Sequence, residues 1–276
     1  MLRTVVLVVL IAILIILIIA ALTGYRCFLD ILNATIQNQC VFQPFYAGTD
    51  TTPPTRGIIP ALGQLEDAFS DIKREMQAIL SAQIPEMHSV YDNIFMGGSG
   101  RVMRAVSSLI YGADTEIFDN IGSSKWQTFN LIMFGHDVPK NAARCPITIS
   151  LLRQIPGMQS ALFSIIAPGA YIPPHNDPAK GVIRYHLALQ VPQDREYCFI
   201  CVNGQKYHWT EGEGVLFDDV YDHWVVNDTD EYRVILFVDI LRPLTGIAKN
   251  LQSFANFANY YHPGVRRAIN ASIVSG

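Results

Sequence analysis

Residues 197–209 read YCFICVNGQKYHW, and this stretch decides the fold class. Tyr197–Val202 is a short apolar run. Asn203-Gly204 is a dipeptide that accepts positive φ at both centres of a tight hairpin turn, and Gln205–Trp209 follows as a returning strand. The same texture extends outward on both sides. Ser160–Ala167, Ile183–Val191, Gly214–Phe217 and Arg233–Ile240 are strand-like, and turn formers such as Pro168-Gly169 and Asn227-Asp228 separate them. With no helical period between them, the region from about Trp126 onward is predicted to be all-β, as a sandwich or barrel.

Helical spacing flanks this region. Leu62, Leu65, Phe69, Ile72, Met76 and Ile79 recur at intervals of three and four, while Glu66, Asp67, Lys73 and Arg74 occupy other faces. That pattern predicts an amphipathic helix packed on the main domain. Leu251, Phe254, Phe257 and Tyr261 return to the same spacing near the end.

Half of the 276 residues are apolar and 16% are charged, with a mean hydropathy of +0.23. The excess is local, because Val5–Leu22 is built only from Val, Leu, Ile and Ala. Outside it the apolar share is about 47%, within the globular range, which excludes a polytopic membrane protein, a disordered chain and a fibre. The run exceeds the roughly 7–15 residues of a signal-peptide core and ends in a poor cleavage site, Ala20-Ala21-Leu22-Thr23-Gly24. As a helix it spans roughly 30 Å, enough to cross a bilayer. Arg3 and Arg26 flank it on opposite sides and leave its orientation open. The expected organisation is a single-pass transmembrane anchor over 1–24, a tether over 25–59, a folded domain over 60–245 and a helical tail over 246–276. Within the domain, 60–83 is a helical lead-in and 126–244 carries the motifs. A net charge of −4, a pI near 5.9 and the lack of any Lys/Arg run argue against a nucleic-acid partner.

The densest polar cluster in the β region is His175-Asn176-Asp177. On an extended segment positions i and i+2 point the same way, so His175 and Asp177 can converge. His223 follows after a further 47 intervening residues from His175. Two imidazoles and a carboxylate form the facial triad of non-haem Fe(II) oxygenases, although H-x-D with a distant His is by itself a weak pattern. Arg233 opens a core strand, where an unpaired charge is expensive. It either pairs with a nearby Asp or receives an anionic ligand. Arg184 and His186 share one strand face, which suggests an anion site, with a solvent-facing strand as the plain alternative.

Taken in order, Phe163–Gly169, Pro174–Pro178, Arg184–Leu187, Glu211–Glu213, Phe217–Asp219, His223 and Arg233–Pro243 resemble the aspartyl/asparaginyl β-hydroxylase family. Trp126 and Cys145–Thr148 belong to the same match, which runs from about Trp126 to Leu244. The resemblance implies a double-stranded β-helix (jelly-roll) core with flanking helices. It also implies an Fe(II)- and 2-oxoglutarate-dependent dioxygenase that uses O₂ to hydroxylate an unactivated C–H. By position, His175 and His223 look like iron ligands, and Ser164 and Arg233 like the pair that holds the distal carboxylate of 2-oxoglutarate. Arg184 and His186 look like cosubstrate contacts near the iron. At Asp177 the animal protein hydroxylases have glycine and manage with two histidines, whereas the bacterial lipid A 2-hydroxylases have H-x-D. Arg184–Leu189, Asn227–Asp230 and Val234–Leu244 also look more like that membrane-anchored lipid branch. The implied substrate is therefore a lipid acyl chain, with a protein Asp/Asn side chain as the alternative. A catalytically silent jelly-roll binding module is the alternative of another class.

Of the five cysteines, Cys198 and Cys201 suit core packing rather than metal or redox chemistry, and Cys27 could pair with Cys40 in an oxidising compartment. Asn33, Asn227 and Asn270 begin sequons that matter only in a secretory setting. Trp224, beside His223, is either a pocket wall or a core residue.

Overall fold

The computed structural model describes residues 25–46, 57–81, 88–89, 125–177 and 180–261. In chain order the elements are α1 (Tyr25–Gln37), a 3₁₀ turn (Pro60–Leu62), α2 (Gly63–Asp67), α3 (Phe69–Ser81), β1 (His88–Ser89), β2 (Trp126–Met133), β3 (His136–Asp137), α4 (Pro139–Arg144) and α5 (Pro146–Leu152). They continue as β4 (Met158–Ile166), β5 (Ala170–His175), β6 (Val182–Gln190), β7 (Cys198–Val202), β8 (Gln205–Tyr207), β9 (Gly214–Phe217), β10 (His223–Asn227), β11 (Arg233–Leu241) and α6 (Gly246–Tyr261).

Two antiparallel sheets carry the site. The larger runs β1-β2-β4-β11-β6-β9, and the smaller runs β5-β10-β7-β8. From β4 to β11 the chain passes repeatedly between the two sheets, which is the winding of a double-stranded β-helix. The hairpin expected at Asn203-Gly204 is present. Asn203 and Gly204 have φ of 48° and 78°, and Ile200 pairs with Tyr207 across it.

Period-two alternation on β6 divides two cores. Tyr185, Leu187 and Leu189 face outward into a cluster with Leu62, Leu65, Ile72, Met76 and Ile79 from the lead-in helices. The periodic helix is thus observed, broken into α2 and α3 at Ala68 (φ −95°, ψ 15°). Ala188, on the opposite β6 face, joins Ile166, Ile172, Ile200, Val225, Ile235, Phe217 and Trp209 between the sheets.

The segment expected to be a tether is not one throughout. Leu32 and Ile36 of α1 pack with Leu244, Ala248, Leu251 and Ala255. Beyond α1, Gln43 N–H and Tyr46 Oη–H donate to Asp218 Oδ2 at 2.8 and 2.7 Å, and Phe45 bridges to Phe217. The apolar partners of α1 lie some two hundred positions away, so its own stretch reads as a linker. Among the described residues no helix is long and apolar enough to cross a membrane. The apolar run at 5–22 lies outside the described residues.

Candidate active site

β5 and β10 are antiparallel neighbours, and their register sets His223 directly opposite His175. The two ring centroids are 4.2 Å apart. His175 Nδ1 lies 2.8 Å from the Pro173 carbonyl oxygen, and His223 Nδ1 lies 2.9 Å from that of Tyr221. A carbonyl only accepts, so each Nδ1 carries the proton and each Nε2 keeps a lone pair. This backbone orientation of imidazoles is characteristic of metal ligands. Burial lowers the pKa of both rings, with their mutual repulsion adding for His223, which falls to about 3. Both are neutral near pH 7 and able to bind a cation.

Asp177 departs from the three-ligand expectation. β5 ends at His175, so the alternation that would aim Asp177 beside it stops one residue too early. The Asp177 N–H donates to the Asp219 carbonyl at 2.9 Å, which turns the chain. Among the described residues no three His, Cys, Asp or Glu side chains gather closely enough to hold a metal. The structure brings together two histidines and not the triad.

Arg233 is 2% exposed and has no ion pair among the described residues, against the structural pairing that its sequence allows. Its guanidinium lies over the Trp209 ring at 4.6 Å, and its Nε and Nη1 have no hydrogen-bond partner among the described residues. Burial pushes its pKa down to about 10, which still leaves it charged. Two unsatisfied donors on a buried cation form a receptor for an anion. Ser164 stands on the same interior face, since Arg233 pairs with Ile166 and Ile235 pairs with Ser164 in the β4–β11 register. The Ser164 hydroxyl accepts from Trp126 Nε1 at 3.1 Å, which orients it.

His186 connects these two ends. Its ring packs edge-on to Phe217 at 4.8 Å and lies 6.2 Å from Trp209, while Phe217 in turn lies 6.2 Å from His223. Both ring nitrogens lack a partner among the described residues. Burial first, then Arg233, Arg184 and His223, hold its pKa well below the usual value, so it is neutral.

Arg184 shares the inner face with His186, as expected, but its donors are engaged. Its Nε and Nη2 donate to Asp239 at 2.8 and 3.1 Å, Nη2 also pairs with Asp219 at 2.8 Å, and the guanidinium covers Phe237 at 4.4 Å. In the ligand-free fold Arg184 is a clamp on two carboxylates, the buried Asp219 and the half-buried Asp239. Burial raises the Asp219 carboxyl well above its usual range, against the pull of Arg184. Asp218 turns the other way, into the Arg242 ion pair.

Sequence reading missed Trp209 as a site residue. Its place two positions beyond Tyr207 on the returning strand was the available signal. Asp219 and Asp239 were missed because their partner Arg184 is apparent only from the β6–β9 and β6–β11 registers. Trp224 points away from His223 on β10 and is no pocket wall, since His223 and Val225 turn inward. Asn227 is fully buried, with its amide donating to the Ala167 and Glu231 carbonyls, so the folded chain cannot carry a glycan there. Cys40, Cys145, Cys198 and Cys201 are free thiols, the last three in the core.

A bacterial relative, the ornithine lipid ester-linked acyl 2-hydroxylase of Rhizobium tropici, is 42% identical over 135 residues, 49% of this chain and 47% of that protein. The human aspartyl/asparaginyl β-hydroxylase is 33% identical over 124 residues, 43% of this chain and 16% of that one. The matches thus span less than half the length of these curated relatives. Among solved structures, the Schizosaccharomyces pombe Cnp3 cupin domain has a TM-score of 0.31 at 12% identity, over 47% of this chain and 71% of that one. The aspartyl/asparaginyl beta-hydroxylase family model matches residues 66–243, from α2 through the histidine pair to the end of β11, and the chain belongs to that family.

Proposed function

We propose that this chain is a membrane-anchored Fe(II)- and 2-oxoglutarate-dependent dioxygenase that hydroxylates a lipid acyl chain. The observation that carries the reading is a buried arginine with unsatisfied donors inside the same barrel as two neutral, backbone-oriented histidines. His175 and His223 would hold the iron through Nε2. Arg233, beside Ser164, would bind the distal carboxylate of the cosubstrate. The residues therefore fit the group in two respects, a cation-binding pair and an anion receptor. Iron(II) with 2-oxoglutarate and O₂ would supply the oxidising power that converts C–H to C–OH, with succinate and CO₂ as the other products.

The chain's own residues perform the remaining work. Pro173 and Tyr221 fix the imidazole tautomers. Asn176 donates to Asp222 at 2.7 Å and ties the loop after His175 to the turn before His223. Phe217, Trp209 and the intersheet aliphatics exclude water, which strengthens the pull of Arg233 on an anion. Support for an acyl substrate comes from the ornithine-lipid relative and from the apolar run at 5–22, which would serve as a single-pass anchor. The alternative, a protein Asp/Asn side chain, is favoured by one observation: Asp177 is not gathered with the histidines, as in the two-histidine pattern of the animal branch.

The test supplies the full chain with iron(II), ascorbate and 2-oxoglutarate, together with either acylated-lipid vesicles or an Asp-containing peptide. Succinate formation and a mass gain of one oxygen on the lipid are expected. Turnover with the peptide and none with lipid would transfer the chain to the alternative substrate. Succinate from neither, in an iron-loaded protein, would leave a binding module.

A further inference from the structure

The face formed by α1 and α6 has three features that together suggest what covers it. The first is apolar exposure. Val41 and Ile247 are the most exposed large hydrophobic residues described, at 75% and 71%, and Ile31 on α1 adds to them. They belong to one surface. Gln39 donates to the Thr245 carbonyl at 3.2 Å and accepts from its N–H at 3.1 Å, and Val41 and Ile247 each stand two residues from this link.

The second feature is charge. The charges of α1, Arg26 and Asp30, lie in its first half; residues 31–46 contain no Asp, Glu, Lys or Arg, and residues 243–256 contain only Lys249. An ordinary water-facing surface is about a quarter charged or more, and this chain as a whole is 16% charged. The third is continuity. The apolar run ends at Leu22 and α1 begins at Tyr25, so at most about 3.5 Å per residue separates the two, roughly 10 Å in all.

We propose that the α1–α6 face lies flat on a lipid bilayer, with Val41 and Ile247 at the boundary of headgroups and acyl chains. This rests on the membrane-anchor reading above and adds an orientation to it. A tether would allow any orientation, but a packed helix leaving the bilayer fixes one. A surface with exposed aliphatics, whose described charges beyond the first turns of α1 are the cations Lys249 and Lys180, suits an interface that disfavours carboxylates and accepts cations.

The orientation reaches the site. The Lys180 N–H donates to Asn33 Oδ1 at 3.0 Å and its Nζ to Gln37 Oε1 at 2.9 Å, both on α1. Gln252 of α6 donates to the Gly181 carbonyl. The segment three residues past Asp177 is therefore held by both helices. With these helices on the bilayer, Lys180 and Gly181, which begin the return to β6 a few residues after His175, are held on the membrane side.

The full chain, reconstituted in phosphatidylcholine/phosphatidylglycerol vesicles, tests this by tryptophan fluorescence. Val41→Trp and Ile247→Trp are compared with Tyr197→Trp and Tyr232→Trp, each after subtraction of the parent signal. With lipids brominated high on the acyl chain, the added emission at 41 and 247 is expected to fall at least about twofold, and that at 197 and 232 to stay unchanged. Flotation with vesicles but equal quenching at all four positions overturns the proposal and leaves the anchor reading intact. Equal quenching in a particle of twice the chain mass assigns the face to a second copy and also overturns it. Failure to float overturns both. Since no turnover is read, the outcome is independent of the assigned substrate.

Discussion

At the scale of single residues, Arg233 carries the clearest conflict between stability and use. A buried cation whose donors go unmet costs folding energy, and natural chains keep such groups where a ligand will meet them. Arg233→Met fills similar space without the charge. The ligand-free variant is expected to be more stable than the parent by at least ~1 kcal/mol, or about 2–4 °C in melting temperature. The gain comes with loss of the cosubstrate response. At a hundredfold excess over its Kd, 2-oxoglutarate stabilises a binding protein by about 2.7 kcal/mol, so iron-loaded parent should melt several degrees higher with it and Arg233→Met should not. Thermal melts with and without 2-oxoglutarate under nitrogen check both halves. A variant less stable than the parent would mean that Arg233 is structurally satisfied.

Among the elements, α1 decides whether the residues after the apolar run belong to the domain. Ile36 is fully buried against α6. Ile36→Ala is expected to destabilise the domain by about 2–4 kcal/mol, read by urea unfolding of the full chain in detergent. An unchanged midpoint would restore the tether. The failure to see α1 in the sequence has a physical cause, since its buried face is short and its partners arrive only after β11. β5 was hidden for another reason. Pro173 and Pro174 argue against a strand, but β5 is the edge of the smaller sheet, where missing N–H donors are tolerated. β4, β6, β7, β9 and β11 were legible because they are largely buried apolar runs bounded by turn formers, with polar residues only at a few positions such as Ser164, Arg184, His186 and Arg233. At the site, His175, His223, Ser164, His186 and Arg233 were legible by position. The engagement of Arg184 by Asp219 and Asp239, and the exit of Asp177 from the strand, depended on register and strand length, which no local pattern encodes.

For the whole molecule, the histidines couple folding to pH. His186, His175 and His223 are all held below 6.5 in the folded state, His223 at about 3. A group with a depressed folded pKa binds its proton more readily when unfolded. The stability it contributes is therefore complete above the unfolded value and lost as pH falls toward the folded one. For His223 that window runs from 6.5 to about 3. Each such histidine removes about 1.4 kcal/mol per pH unit inside its window. Asp219, whose pKa is raised, works in the opposite direction, but it is one group against three. Metal-free protein should lose stability steadily between pH 6.5 and 5, and His186→Leu should flatten that slope by about one proton. Urea midpoints across this range measure it, and a slope unchanged in the variant would show His186 to be protonated in the fold.

The α1–α6 contact also imposes an order on synthesis. Ile36 meets Leu251 only after more than two hundred further residues have been added. At about 5–20 residues per second the ribosome needs on the order of ten to forty seconds to supply them. Throughout that interval the nascent chain holds out Leu32 and Ile36 with no α6 to receive them. Of the described helices, the first made is thus the last to find its partner, and its closure onto α6 waits until the whole barrel through β11 has been synthesised.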